Sequence, residues 1–498
     1  MAGIWDLVIR NTTIYDGTGA KPTIGDVAIN GDRIAAVGDV SGEGVQEVDA
    51  RKRALAPGFI DVHSHDDFAV FLTPAMDFKV MQGVTTDVVG NCGMGAAPFP
   101  IAVAMFSGLH GRSHVPEWNG YAGYLAEIDR NPPSLNVAAL VGHGTVRYSA
   151  MGNACREPSA KELDHMRAVV REGLDGGAFG MSTGLIYEPG RYARTAEIIE
   201  LAREANRTGG LYASHMRDEA AHLLDAVRET IHIGEEAGVP VQISHHKASG
   251  RENWGLVNES LKLVEEARGR GIDVTADQYP YTSGSTILQA VIQNGGLDEP
   301  GDTGAVGTIA PEKLLFASTP KHPEWEGRTL KDLCDEWKLA PRAAGERIAA
   351  EEGPGAVVVM ETMNEDDVRT VMRHPSTMIG SDGLAMGSRP HPRLYGTFPR
   401  VLARYARDAG LMTMEEGVHR MTGMPAAKFG LKERGQVRPG FYADLVIFDP
   451  SSLLDTATYD QPRRYPEGLH YVFVNGTAVV RDGLHTGARP GRALRRNS

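Results

Sequence analysis

The chain has 498 residues, 42% of them hydrophobic and 23% charged, which is the balance of a globular protein and excludes a disordered or fibrous one. Its 51 basic and 64 acidic residues leave a net charge of −13, which argues against a nucleic-acid surface. Three cysteines cannot build a disulfide framework, no apolar run approaches the roughly 20 residues of a membrane span, and the opening residues reach a charge at Asp6, too early for a secretory leader; a cytoplasmic protein with no membrane partner is expected.

Short strands open the chain. Leu7–Arg10, Asp26–Ile29 and Arg33–Val37 are β-like, with Asn30-Gly31-Asp32 as a hairpin turn. The same texture returns at Ala443–Phe448 and at Tyr471–Val480, the latter folded back at Asn475-Gly476. The two ends are expected to pair into one small β domain, with two separate β caps as the alternative. The arginines near the end (Arg489, Arg492, Arg495, Arg496) read as a solvated tail.

Between the ends, strands and helices alternate. Phe59–Val62 is a short apolar strand that stops in His63-Ser64-His65. Thr85–Val89 and Val137–Val141 follow. Ser159-Ala160-Lys161-Glu162 is a capping-box pattern that starts a helix through about Gly173. Then come Gly180–Ser182, a helix over Thr195–Thr208, Leu211–His215, a helix ending near Gly238, Val239–His245, a helix over Leu256–Arg268, and Asp273–Ala276. Ala356–Met360 and Thr377–Gly380 continue the series. Repeated β-α units of about 30 residues predict a parallel sheet with right-handed crossovers, and their number fits a TIM-like (β/α)8 barrel whose chemistry sits at the carboxyl ends of the strands. The expected division is a small β-sandwich domain from residues 1–58 and 436–498 around a barrel at 59–435. Residues 284–355, Gly- and Pro-rich and then helical, break the rhythm and read as an insertion, either a lid or a packing excursion.

Metal-capable side chains recur at the strand ends. His63 and His65 lie two apart on an extended chain and so share a face. Cys92 closes the second strand. His215 and His245 close two strands 30 residues apart, one β-α unit, and Asp382 closes the last. Six such groups at one barrel mouth point to a divalent metal. Cys155 and Cys334 fall outside this series.

These segments resemble a known family. The order His-x-His, a mid-chain ligand, His, His and a final Asp is similar to the amidohydrolase superfamily. Pro57–His65, Gly90–Gly93, Ser182–Tyr187, Ser244–Lys247, Tyr279–Tyr281 and His391–Phe398 resemble its D-aminoacylase (N-acyl-D-amino-acid deacylase) branch, as does the tail from Tyr465 to Val480. Many members of the superfamily bridge two metals with a modified lysine from the fourth strand. Here the only lysine between residues 141 and 210 is Lys161, which belongs to the capping box.

The resemblance implies a zinc enzyme. Cys92, His215 and His245 would hold a tight zinc, and His63, His65 and Asp382 would line a second, weaker site. Asp382 would be the general base, Tyr187 a donor to the oxyanion, and Lys247, Tyr279, Ser285 and Arg393 the clamp for the free carboxylate of a small-molecule N-acyl amino acid. The products would be a carboxylate and a free D-amino acid. The rival readings are a cyclic amidase of the hydantoinase or dihydropyrimidinase kind, a dipeptidase acting on an unusual linkage, an amidase for a xenobiotic amide, and a non-enzymatic scaffold.

Overall fold

The computed structural model describes residues 4–110, 115–298 and 304–496. Residues 1–3, where the expectation of no secretory leader begins, lie outside them. Eight parallel strands surround the centre: Phe59–Asp61, Val84–Val89, Asn136–Ala139 continued by Val141–Gly142, Gly180–Gly184, Leu211–His215, Val241–Ile243, Val274–Gln278 and Thr377–Ile379. Hydrogen bonding links them as two parallel pieces, one ending in Asn136–Ala139 and the other beginning with Val141–Gly142. The third strand, interrupted at Leu140, therefore joins the pieces. A parallel bridge between Ser64 and Gly383 closes the ring, helped by the Asp382 N–H donating to the His63 carbonyl at 2.8 Å. The result is a (β/α)8 barrel with an apolar filling that includes Ile60, Val88, Ala138, Leu211 and Met378.

The helices form where local signals ask for them. Ala160–Asp175 starts on a complete capping box, Ser159 with Glu162. Leu223–Ala237 stops at Gly238, whose φ of +69° is the left-handed C-terminal cap that glycine makes cheap. Their apolar faces pack on the outside of the barrel through residues such as Val170, Leu174, Leu201 and Val227.

Residues 4–57 and 445–485 supply one continuous nine-stranded sheet. Leu445–Phe448 pairs antiparallel with Ala54–Pro57, so the two chain ends meet there. The strand Ile4–Ile14 pairs with three others, which lets the sheet fold over its own core of Ile9, Val27, Ile447 and Phe473.

Two expectations change. Val357–Glu361 is not a barrel strand. It is the centre of a three-stranded antiparallel sheet with Ser283–Ile287 and Leu314–Ser318. That sheet has its own apolar cluster with Phe316, Trp325, Leu333 and Val358. The excursion from the barrel thus spans 283–361, past the residue 355 inferred from composition. A short β-branched run looks the same in either sheet, and only its partners decide. The arginine tail is only partly solvated: Arg489 and Arg492 are exposed, but Arg495 and Arg496 are half-buried and the backbone is engaged. The Val137 N–H donates to the Arg492 carbonyl at 2.9 Å and the Leu494 N–H to the Val137 carbonyl at 2.7 Å, so the tail lies along the third barrel strand.

Candidate functional site

Each strand end delivers its side chain to the same mouth. His63, His65, Cys92, His215, His245 and Asp382 are all buried. Three of them sit in left-handed backbone just past their strands: Cys92 at φ +53°, His245 at +35° and Asp382 at +49°. That conformation costs a non-glycine residue roughly 1–2 kcal/mol. Such local strain is held by the surrounding fold and concentrates at functional positions.

The six groups form one contact network. Cys92 Sγ lies 3.3 Å from His63 Nε2 and 3.6 Å from His245 Nε2. His245 Nε2 is 2.8 Å from His215 Nδ1. Asp382 Oδ1 is 3.1 Å from His65 Nε2 and 3.5 Å from His63 Nε2. Three overlapping triads each bring their donor atoms within 4.8 Å of one another: Cys92/His215/His245, His63/His65/Cys92 and His63/His245/Asp382. Burial alone would push the Cys92 thiol up, but His63 and His215 hold it well below its ordinary value, so it stands as a thiolate. A thiolate with imidazoles is a donor set that suits zinc. Lys161 is exposed in the first turn of Ala160–Asp175 and takes no part.

A second layer fixes these rings. Glu219 Oε1 is 2.8 Å from His245 Nδ1, and its other oxygen is 3.8 Å from His215 Nε2. One carboxylate thus faces the outer nitrogen of both imidazoles, which turns His245 Nε2 and His215 Nδ1 toward Cys92. Asp277 does the same for the other half. Its Oδ1 is 3.2 Å from His63 Nδ1 and accepts the His245 backbone N–H at 2.8 Å. Beneath them the buried Lys79 ammonium contacts Asp61 at 2.5 Å and Asp66 at 3.1 Å, and donates to Ser381 Oγ at 2.9 Å. It ties the first strand to the loop that carries Asp382.

Above the cluster lies a cavity of about 180 Å³, bounded by the barrel mouth and by the 283–361 excursion. Tyr187, Lys247, Tyr279 and Ser285 line it. Tyr187 packs edge-on against His215 at 5.0 Å, and its hydroxyl meets Thr286 Oγ1 at 2.9 Å. Burial, and then the nearby Cys92 thiolate, push its phenol well above the ordinary value, so it remains a donor at neutral pH. Lys247 is held by Glu219 at 2.5 Å and lies 2.8 Å from His245 Nδ1.

Arg393 stands beside Asp382. Its guanidinium is 2.8 Å from Asp382 Oδ2, donates to the Ser285 carbonyl at 3.2 Å and stacks over Tyr279 at 4.4 Å. Burial alone would raise the Asp382 carboxyl, but Arg393 and then His63 hold it well below the usual carboxylate range. His391 places Arg393: its Nδ1 accepts the Arg393 backbone N–H at 2.9 Å while its Nε2 meets the Ser283 carbonyl at 2.9 Å.

All eleven residues singled out from the sequence therefore gather at one end of the barrel. Glu219, Asp277, Lys79 and His391 were not among them. Asp277, an acidic residue near the carboxyl end of the strand Val274–Gln278, carried a readable signal; Glu219 lies in a loop and carried none. His143 and His246 are structural, bonded to Glu197 at 3.0 Å and to Ser260 at 2.7 Å.

Comparison with known proteins adds the relatives of this arrangement. The Amidohydrolase family matches residues 46–296 and 339–480. The chain is 40% identical to a D-aminoacylase of Alcaligenes xylosoxydans xylosoxydans, covering 99% of this chain and 98% of that protein. It is 40% identical to an N-acyl-D-glutamate deacylase of the same organism, covering 99% and 97%. A solved N-acyl-D-glutamate deacylase from Bordetella bronchiseptica, complexed with zinc and a phosphonate mimic of the tetrahedral intermediate, superposes with a TM-score of 0.89 at 39% identity, covering 99% of this chain and 100% of that one.

Proposed function

The chain belongs to the amidohydrolase family, and we propose that it is a zinc-dependent hydrolase that cleaves the linear amide of N-acyl-D-amino acids into a carboxylate and a free D-amino acid. One observation carries this reading: Cys92, His215 and His245 offer three donor atoms to a common point beneath the cavity. We assign zinc to that triad, and a second, weaker position to His63, His65 and Asp382.

When bound, zinc lowers the pKa of a coordinated water and polarises a carbonyl. The residues of the chain supply the rest. Asp382, at the edge of the cavity, accepts the proton of the attacking water and returns it to the leaving nitrogen. Tyr187 donates to the oxygen that gains charge. Lys247, Tyr279, Ser285 and Arg393 receive the carboxylate of the substrate, for which a guanidinium fork and an ammonium are the fitting partners. Arg393 already pairs with Asp382, so a carboxylate that takes up Arg393 also loosens its hold on the base.

We further propose that the chain divides into a barrel at 59–435 and a small β unit from 1–58 and 436–498. The shared sheet of the two ends supports this division. All three cysteines are free, which supports a reducing, cytoplasmic setting. Among the described residues no helix is long and apolar enough to cross a membrane.

Metal analysis beside an activity panel tests the proposal. About one zinc per chain is expected, with hydrolysis of N-acetyl-D-amino acids and none of the L forms. Preferential opening of hydantoins, or cleavage of isoaspartyl dipeptides, would replace it with one of the rival readings.

A further inference from the structure

The two curated relatives named above are equally similar to this chain, yet one is named for a substrate with an acidic side chain and the other is not. The cavity itself separates these cases. Its wall away from the metal cluster is mostly apolar: Met94, Ile186, Ile287, Val306, Met360 and Leu384. Among the described residues that line it, Lys247 is the one lysine or arginine, and Glu219 holds it at 2.5 Å. Arg393 is engaged by Asp382. Both cations are, in the reading above, the seat of the substrate's α-carboxylate.

The remaining charge in the wall is negative. Glu188 lines the cavity from the turn after the fourth barrel strand. Its Oε1 accepts the Tyr192 hydroxyl at 2.5 Å and the Gln293 side-chain amide at 3.1 Å. Both donors are neutral, so they orient the carboxylate without cancelling its charge. Two of the wall hydroxyls are engaged: Ser249 donates to the Val306 carbonyl at 2.6 Å, and Thr286 is bonded to Tyr187 at 2.9 Å.

We infer that this enzyme takes N-acyl-D-amino acids in which both the side chain and the acyl group are uncharged and largely apolar, and that Glu188 excludes a second negative charge from the cavity. This rests on the deacylase reading. A second carboxylate would leave water for an apolar wall in which no further lysine or arginine lies among the described residues, and a buried charge without a partner is strongly disfavoured. Glu188 adds repulsion that solvent screens poorly inside a cavity. An apolar side chain meets neither cost and gains from burial.

The cleanest probe changes charge and leaves shape alone. For the zinc-loaded enzyme, kcat/KM is compared between N-acetyl-D-glutamine and N-acetyl-D-glutamate, with N-acetyl-D-methionine and N-acetyl-D-leucine as apolar references. The expected order is methionine and leucine above glutamine, and glutamine above glutamate by at least about tenfold. In Glu188→Gln the glutamine-to-glutamate ratio should fall severalfold toward one. Equal or faster hydrolysis of the glutamate substrate by the unaltered enzyme overturns the inference while the deacylase reading stands. An unchanged ratio in Glu188→Gln removes Glu188 as the excluding group. No hydrolysis of any N-acyl-D-amino acid overturns the deacylase reading, and this inference with it.

Discussion

The two ends of the barrel are made from the same eight strands and are finished in opposite ways. At the carboxyl end, Cys92, His245 and Asp382 adopt left-handed backbone and aim their polar atoms at one another. At the amino end, main-chain groups are closed off. The chain's last described residues run along Val137, and Arg496 donates to the carbonyls of Thr208 at 2.9 Å and Phe429 at 2.8 Å, with a further bond to Gly209. One end therefore keeps donor capacity open for an ion and a substrate, while the other is satisfied internally. Changes at the first end should alter metal content and turnover with modest effect on folding, and changes at the second should do the reverse.

The largest effect is expected from Cys92→Ala. Cys92 belongs to the triads on both sides of the cluster, so its loss removes the shared donor. Zinc should fall well below one per chain after dialysis, and turnover by at least about 10⁴-fold, since both water activation and carbonyl polarisation depend on the ion. Full zinc occupancy would show that the thiolate only packs. Next is Asp382→Asn. Zinc should stay, because the Cys92/His215/His245 triad is intact, while kcat drops by roughly 10²–10⁴, the range of general acid–base assistance. Undiminished turnover would take the base role away from Asp382.

The positions of Cys92, His215 and His245 were legible because their strands were. Each lies at the end of an expected strand, which carried it to the rim, while the grouping of these three as one zinc set was what the family resemblance implied. Glu219 was not legible. It follows His215 by four residues in a loop, and its contacts to His245 and Lys247 exist only once two strands lie side by side. The strand Val357–Glu361 failed in a different way, since its sequence fits a barrel and an insertion equally. The arginine tail was read only in part: Arg489 and Arg492 are exposed as expected, but charge says nothing about the backbone carbonyls that Arg496 caps.

Glu219→Gln sharpens the comparison within the carboxyl end. An amide can accept from only one oxygen and offers a donor where His245 Nδ1 or His215 Nε2 needs an acceptor. Zinc affinity, read by competition with a chelator, should weaken about 10- to 100-fold, the usual loss when an outer partner of a ligating histidine is removed. Unaltered affinity would confine Glu219 to holding Lys247. Arg393→Ala should raise KM for carboxylate-bearing substrates about tenfold, near the worth of one charged hydrogen bond. An equal rise for neutral amides would count against the clamp.

The smallest effect lies at the amino end and tests the other half of the contrast. Arg496→Ala removes donors from three backbone carbonyls, two at the end of the helix Thr195–Arg207 and one at the end of Gly423–Phe429. Solvent can replace part of what is lost, because the residue is only half-buried. A cost of about 1–2 kcal/mol follows from typical hydrogen-bond contributions, which for a chain of this size is a melting temperature lower by about 2 °C. Arg496→Lys should recover little of it, since an ammonium on a flexible stem cannot serve three carbonyls in the fixed geometry of a guanidinium. Zinc content and kcat should not move. If they fell together with stability, the two ends would be coupled through the strands, and the separation of a closed base from an open rim would no longer describe this barrel.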